Sequence, residues 1–355
     1  MRVSWGENAG RSLSLGGMKR PTIADIAARA GVTKAAVSFA LNGQPGVSDA
    51  TRERILAIAR DVGFQPSSAA RALTAGRAGA FGLIIDRPAR MLGIEPFFMQ
   101  LLSGIQADLT AHHVTLQFSM GEDPGDEIAL YRRWWGQRQV DGVFVYDLQR
   151  DDLRVPVLED LRMPAVVIGS PRGSGALPAV WQDEREVVET VIGHLTSLGH
   201  KRIARVGGLA RYWHTALRAE AFANAALAAG ITAVQAEADY TAEHGAQATR
   251  DLLSGPRPPT AILYDNDVMA VAGLGMAQRL GVAVPSEVSI VSWDDSVLCA
   301  ITHPALTAVG RDIAGIGSTA ARMLRQLADG ERPADVREAR AELVARGSTA
   351  PAPAR

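Results

Sequence analysis

The sequence predicts a small all-α head followed by a two-lobed α/β core whose parallel sheets are doubly wound, with helices on both faces. Three observations carry this expectation. Thr22 to Phe64 packs three helix-period patterns between short breaks. From Phe81 onward, short apolar runs alternate with longer helical stretches, which is how strands buried on both faces read. Charge divides at the same place. The basic residues between Lys19 and Arg77 are Lys19, Arg20, Arg29, Lys34, Arg52, Arg54, Arg60, Arg71 and Arg77, against only Asp25, Asp49, Glu53 and Asp61. The whole chain is balanced at 37 Lys and Arg to 38 Asp and Glu, so the remainder is acidic. Such an asymmetry is expected of a nucleic-acid-binding head on a neutral-to-acidic body.

In the head, Thr22 is positioned to cap a first helix whose Ile23, Ile26, Ala27 and Ala30 recur at helical spacing, and Gly31 supplies the sharp turn. Thr33 caps a second helix, Lys34 to Asn42, with Ala36, Val37, Ala40 and Leu41 available for packing and Lys34, Ala35, Ser38 and Phe39 on the other side. Two short helices joined by a tight turn form a helix-turn-helix pattern. After "GQPG", Ser48 or Asp49 starts a third helix that closes the core with Ile55, Ile58, Ala59 and Val62. By pattern alone, any three-helix miniature domain fits equally.

At 355 residues the chain exceeds one ordinary domain, and 47% apolar with 21% charged residues is a globular composition. Cys299 is the only cysteine, which excludes an intramolecular disulfide and metal sites built on cysteine pairs. A reducing cytoplasm fits, since no apolar run is long enough for a membrane span and "MRVSWGENAGRSLSLGGMKRPT" lacks a signal-peptide core. Residues 1–20 and 350–355 are expected to be a disordered extension and tail. Residues 21–65 are expected to form the head, 66–80 a linker, and 81–349 the core.

The strand candidates in the core are "AFGLII", "HVTLQFSM", "VDGVFVY", "PAVVIGS", "RIARVGG", "TAILYD" and "VSIVSW". They are too many for one compact sheet. Two lobes fit better, with a ligand cleft at the carboxyl ends of the strands. Polar residues at those ends are the ligand candidates: Asp294 after "SIVSW", Asp267 in "YDNDVMA", and Arg218 on the helix after "RVGG". Asp267 can instead brace the helix it begins. Phe97 and Phe98 start a helix at the cleft edge, where one can stack on a ring while the other is core. Trp293 beside Asp294 reads equally as an apolar wall or as aromatic core.

"TIADIAARAGVTKAAVSFALNGQPGVSDATRERILAIARDVGFQPSSAARAL" resembles the head of the LacI/GalR family of bacterial transcription regulators. The motifs are V-S-x-x-L-N in the second helix, V-S-x-x-T-R opening the third, and a Pro followed by A-R-x-L. "EPFFMQLLSGI", "HLTSLGHKRIARVGG", "TAILYDNDVMA" and "VSIVSWDD" are similar to the family's periplasmic-binding-protein-like core. The resemblance implies that the second helix enters the major groove of double-stranded DNA, with Thr22, Thr33, Lys34, Ala35, Ser38, Phe39 and Asn42 forming the contact set. Lys34 can donate to guanine, and Ala35 offers only apolar contact. The family usually carries Arg after the V-S pair; Phe39 stands there and either faces DNA or turns inward.

It further implies a hinge helix, Ser67 to Leu73, with Leu73 as a minor-groove wedge beside Ala70 and Arg71, or alternatively a plain linker. In the family's fold the chain crosses between lobes three times, which places the crossings near Gly169, Leu306 and Pro333. The family uses equivalents of Arg218 and Asp294 to bind sugar hydroxyls or a nucleobase, so the implied partners are a pseudo-palindromic operator, a sugar-like effector and a second copy in a homodimer.

Neither a phosphate-cradling loop nor a metal or catalytic constellation is legible, so no cofactor, metal or enzymatic activity is expected. A sugar receptor without a DNA role explains only the core, and a sugar-metabolising enzyme only the α/β alternation. A ligand-responsive regulator, acting as a repressor of carbohydrate-related genes, explains head, hinge and core together.

Overall fold

The computed structural model describes residues 21–64, 76–86, 93–121 and 124–354, and the chain divides into two units, Met1–Gly76 and Arg77–Arg355. The expected hinge residues Ser67, Ala70, Arg71 and Leu73, and residues 1–20, lie outside the described residues.

In the first unit, α1 (Ile23–Ala30) starts with a reciprocal cap: Thr22 Oγ1 accepts from Asp25 N, and the Asp25 carboxylate accepts from Thr22 N at 2.8 Å. Gly31, at φ 63°, ends the helix in the left-handed conformation that a side chain disfavours. Thr33 caps α2 (Lys34–Leu41) through Ala36 N at 3.2 Å, and α3 (Asp49–Asp61) follows the "GQPG" break. Ile26, Ala27, Ala30, Val37, Ala40, Ile55 and Ala59 make a core drawn from all three helices.

The second unit contains two six-stranded sheets of the same plan. The first has the order β11-β5-β4-β3-β1-β2, from β1 (Ala80–Asp86), β2 (Thr115–Gly121), β3 (Val143–Tyr146), β4 (Ala165–Ile168), β5 (Ala179–Trp181) and β11 (Val336–Arg337). The second has the order β12-β10-β9-β8-β6-β7, from β6 (Arg202–Gly207), β7 (Thr232–Glu237), β8 (Ala261–Tyr264), β9 (Ser289–Ser292), β10 (Thr307–Gly310) and β12 (Glu342–Val344). Each strand pairing is parallel except β10 with β12. Parallel strands need crossover helices, and these cover both faces of each sheet.

On the first sheet, α4 (Pro96–Ala111) and α12 (Ile313–Ala328) cover one face, with Leu101, Ile105, Ile316 and Leu324 in the core. Those two helices meet backbone to backbone, since a Cβ on Gly104 would lie 1.8 Å from the Ala314 carbonyl oxygen. α5 (Pro124–Gly136) and α6 (Arg154–Asp160) cover the other, through Tyr131, Trp134 and Leu158. The second sheet is covered by α7 (Glu184–Ser197) with α8 (Trp213–Ala228), and by α9 (Ala242–Ser254) with α10 (Asp267–Arg279). The short α11 (Val297–Ile301) follows β9.

Two expectations are corrected here. The chain leaves the first lobe after Trp181, not near Gly169, because β5 pairs with β4. It returns after Gly310 and leaves finally after Arg337, a few residues beyond Leu306 and Pro333, because β10 still belongs to the second sheet and β11 to the first. Residues 350–354 are no loose tail: Ala352 N donates to Leu198 O at 2.8 Å, and the buried His200 links Thr260 Oγ1 to Ala350 O.

Candidate ligand cleft and DNA-binding face

The strand ends of the two lobes open on one cleft. From the first lobe come Glu95 and Phe97 at the start of α4, Tyr146 at the end of β3 and Trp181 at the end of β5. From the second come Arg218 on α8, Tyr240 beyond β7, Asp265 and Asn266 beyond β8, and Asp294 beyond β9. Arg311, just past β10, and Glu184, at the start of α7, lie on the segments that join the lobes. Parallel strands direct their carboxyl ends to one side of the sheet, so residues distant in sequence converge there.

Arg218 is buried, yet fully supported. Its Nε donates to Glu184 Oε2 at 3.0 Å, its Nη1 to the Asp265 carbonyl at 3.3 Å, and its guanidinium lies 4.1 Å from the centre of the Trp293 ring. Burial works against its charge, but Glu184 and Asp265 outweigh that and hold its pKa above the usual arginine value. Asp265 is itself clamped by Arg205, whose Nε donates at 2.8 Å, both side chains being buried. Across the cleft, Asp294 is ion-paired with Arg311 Nη2, and Arg311 lies over the Phe97 ring. Phe97 and Tyr146 form a tilted aromatic pair with centroids 5.4 Å apart.

Contacts also run directly between lobes. Asn266 Nδ2 donates to Glu95 Oε1 at 3.3 Å, Trp213 N to Leu148 O at 2.9 Å, and His214 Nδ1 lies 3.7 Å from Asp147 Oδ1. The Tyr240 hydroxyl meets both His214 and Thr215 at 2.6 Å. Tyr240 has φ 70° and Asp147 φ 53°, a left-handed conformation that costs about 1–3 kcal/mol outside glycine and clusters at functional sites.

Of the sequence-predicted ligand residues, Arg218, Asp294 and Phe97 line this cleft. Three do not. Phe98 packs inside the first-lobe core, while Phe97 is partly buried against that core and reaches the cleft. Trp293 is fully buried and acts as the platform under Arg218. Asp267 is buried at the first turn of α10 with Oδ1 accepting from Val268 N, and burial pushes its carboxyl up to about 6, the Asp294 charge adding to the rise. Asp295 is taken bidentately by Arg346.

Sequence reading missed Glu95, Tyr146, Trp181, Glu184, Tyr240 and Arg311. Arg311 was within reach, being a polar residue at a strand end like Asp294. Glu95 and Glu184 read as ordinary acids at helix starts, and Tyr240 follows an edge strand that was not recognised.

On the head, Lys34, Ala35, Phe39 and Asn42 are exposed along α2, and Ser38 is half-buried. Phe39 turns outward at 39% exposure; a Cβ on Gly46 would sit 3.4 Å from its ring. Thr22 and Thr33 are exposed with their hydroxyls engaged in capping. Arg52 differs from the other basic residues. Its guanidinium donates to Phe39 O, Ala40 O and Gln44 O at 3.2, 3.1 and 2.6 Å, capping the end of α2. Arg52→Lys keeps the charge but loses the fork. It should lower head stability by about 1–2 kcal/mol, measured by thermal unfolding. The salt slope of DNA binding should stay unchanged; a slope smaller by about one would make Arg52 a phosphate ligand instead.

A basic helix-turn-helix head with an exposed recognition helix, on a core whose two lobes share a polar cleft, defines a ligand-responsive DNA-binding transcriptional regulator. Comparison with known proteins agrees. Residues 22–67 match the model for bacterial regulatory proteins of the lacI family, and residues 192–349 the periplasmic binding protein-like domain. The HTH-type transcriptional regulator AglR of Rhizobium meliloti (strain 1021) is 32% identical over 92% of this chain and 93% of its own. The structure of a LacI family transcriptional regulator from Bifidobacterium animalis subsp. lactis is 36% identical, covers 78% of this chain and 99% of its own, and superposes with a TM-score of 0.73. A transcriptional regulator CelR–cellobiose complex is 28% identical over 93% of this chain and 100% of its own, with a TM-score of 0.71. The chain belongs to the LacI family of bacterial transcriptional regulators. Among the described residues, no helix is long and apolar enough to cross a membrane, and no His, Cys, Asp and Glu cluster could hold a metal ion.

Proposed function

We propose that the protein is a cytoplasmic, nucleoid-associated repressor of carbohydrate-related genes, working as a homodimer on a pseudo-palindromic operator and controlled by a sugar or sugar derivative in the cleft. The observation that carries the effector reading is the pairing of Arg218 and Asp294 at the cleft with the aromatic faces of Phe97, Tyr146 and Trp181. Planar guanidinium and carboxylate groups bind vicinal hydroxyls two at a time, while rings cover the apolar face of a pyranose. The bound cellobiose of the related CelR complex is consistent with this chemistry. Two-fold symmetry matches a palindromic site, with one recognition helix per half-site.

Ligand binding closes the lobes on each other, and closure changes the geometry offered to the paired hinge segments, which alters operator affinity. Calorimetry with a sugar panel, followed by operator binding with and without the sugar found, tests this reading. Arg218→Ala and Asp294→Ala should each weaken ligand binding by several kcal/mol, because buried polar partners are left unpaired. Operator affinity without ligand should stay near normal. Unchanged ligand affinity in both variants would place the effector elsewhere.

The hinge belongs to the same proposal. Leu73 as a wedge recovers the few kcal/mol of unstacking a base step by filling the gap. Leu73→Ala should therefore weaken specific binding far more than non-specific binding, with little change in salt dependence. Equal losses on both DNAs, or an unbent wild-type complex in a bending assay, would make residues 67–73 a plain linker.

A further inference from the structure

The guanidiniums lining the cleft are matched before any ligand arrives. Arg218 is bound to Glu184 and Arg311 to Asp294, while the Asp265 carboxylate is held from behind by Arg205. The lining carboxylates, Glu95, Glu184, Asp265 and Asp294, outnumber the two lining guanidiniums. The helix amino ends at the cleft, which would otherwise attract an anion, carry a side-chain cap at two places and an adjoining acid without a cap hydrogen bond at a third. Glu95 precedes α4, Asp183 caps α7 with Glu184 next to it, and Asn266 caps α10 with Asp267 in the first turn. α8, whose Arg218 and His214 line the cleft, starts without an acid, and its His214 faces Asp147.

We propose that the cleft selects an uncharged polyhydroxyl ligand, an unmodified sugar or glycoside, and excludes the phosphorylated or carboxylated forms of the same sugar. This rests on the cleft being the effector site. An incoming phosphate would have to displace Glu184 or Asp294 from its guanidinium, stranding a carboxylate in a half-buried site, or remain without a cation itself. Either outcome is costly in a desolvated cleft. A hydroxyl asks for neither. It donates to the carboxylate and accepts from the guanidinium, so the ion pair stays intact. Arg311 Nε is buried without a hydrogen-bond partner among the described residues, a donor that a neutral oxygen satisfies.

The test is calorimetry on the full-length protein with matched sets of glucose, galactose and mannose, their 6-phosphates and their uronates, alongside cellobiose and maltose. We expect binding of at least one uncharged sugar. Wherever a hexose binds, its anionic forms should bind at least about 100-fold more weakly, the effect of leaving one buried charge unpaired. Where a disaccharide alone binds, no anionic hexose should bind. Asp294→Asn and Glu184→Gln each release one guanidinium, and either should bring the phosphate at least about tenfold closer to its parent sugar. Using both keeps the test valid if one variant folds poorly. An anionic sugar that binds more tightly than its parent, or a gap that neither variant narrows, overturns the exclusion while leaving the cleft as the effector site. Absence of binding by every sugar, with operator binding intact, overturns the sugar-effector reading and this inference with it.

Discussion

Deleting residues 1–76 should abolish operator binding while leaving the rest of the chain folded and ligand-competent. The head has its own core, drawn entirely from α1, α2 and α3. The four apolar clusters of the second unit draw on residues from Ala78 onward. Neither core therefore loses a packing partner when the other is removed. The deletion takes away the exposed face of α2 and most of the basic residues that would neutralise phosphate. Because that electrostatic contribution underlies non-specific as well as specific binding, the loss should reach at least about 1,000-fold and extend to random DNA. Fluorescence anisotropy with operator and random duplexes checks the loss, and thermal shift with the effector checks the core. Operator affinity retained by the truncated protein would assign DNA recognition to the core.

The second large effect is expected behind the cleft wall, where Arg154 holds the segment after Tyr146. Arg154 is 1% exposed and is the only cation among the groups it binds: Glu127 Oε2 at 2.9 Å, Asp152 at 2.7 to 3.2 Å, and the Asp147 carbonyl at 3.0 Å. Tyr131 adds a hydrogen bond to Glu127. Arg154→Ala leaves both buried carboxylates without their cation, which should lower stability by about 3–5 kcal/mol. Burial already pushes the Glu127 carboxyl above its ordinary value despite the Arg154 charge, and without that charge it rises further. A carboxyl whose folded pKa is raised is favoured by folding when protonated, so the deficit should shrink as the pH falls through that pKa and grow towards neutrality. Urea unfolding at pH 5 and pH 8 measures both. A loss below about 1 kcal/mol, or one independent of pH, would mean that water replaces the guanidinium.

How far the sequence was legible follows from what each residue contributes locally. The seven apolar runs read as strands all become strands; six are largely buried, where a strand has no room for polar residues, and β2 is a partly exposed edge. β7 escaped notice because it is an exposed edge, β5, β11 and β12 because two or three residues carry no period, and β10 because Thr-Ala-Val-Gly holds a single large apolar residue. Missing β5 moved the first lobe crossing to Gly169. At the cleft, strand-end polarity found Arg218 and Asp294, since burying such groups requires a reason. It could not separate Phe97 from Phe98 or foresee that Trp293 supports Arg218, because adjacent side chains diverge only once a helix or strand is set against its neighbours. The pairing of Asp294 with Arg311 depends on β9 and β10 lying side by side, which only the sheet order supplies.

The interleaved crossings bear on how the protein is made. The first sheet is completed by β11 and covered by α12, and the second is sealed by β12 and the segment that reaches Ala352, so both lobes wait for the last part of the chain. During vectorial synthesis the head can fold as soon as it emerges, because its three helices are local. The lobes cannot, and the face of the first sheet meant for α12 stays uncovered until Ile313–Ala328 has been made. A chain halted before Ile313 therefore holds a folded three-helix head joined to two unfinished sheets. The head takes its shape before the cleft exists.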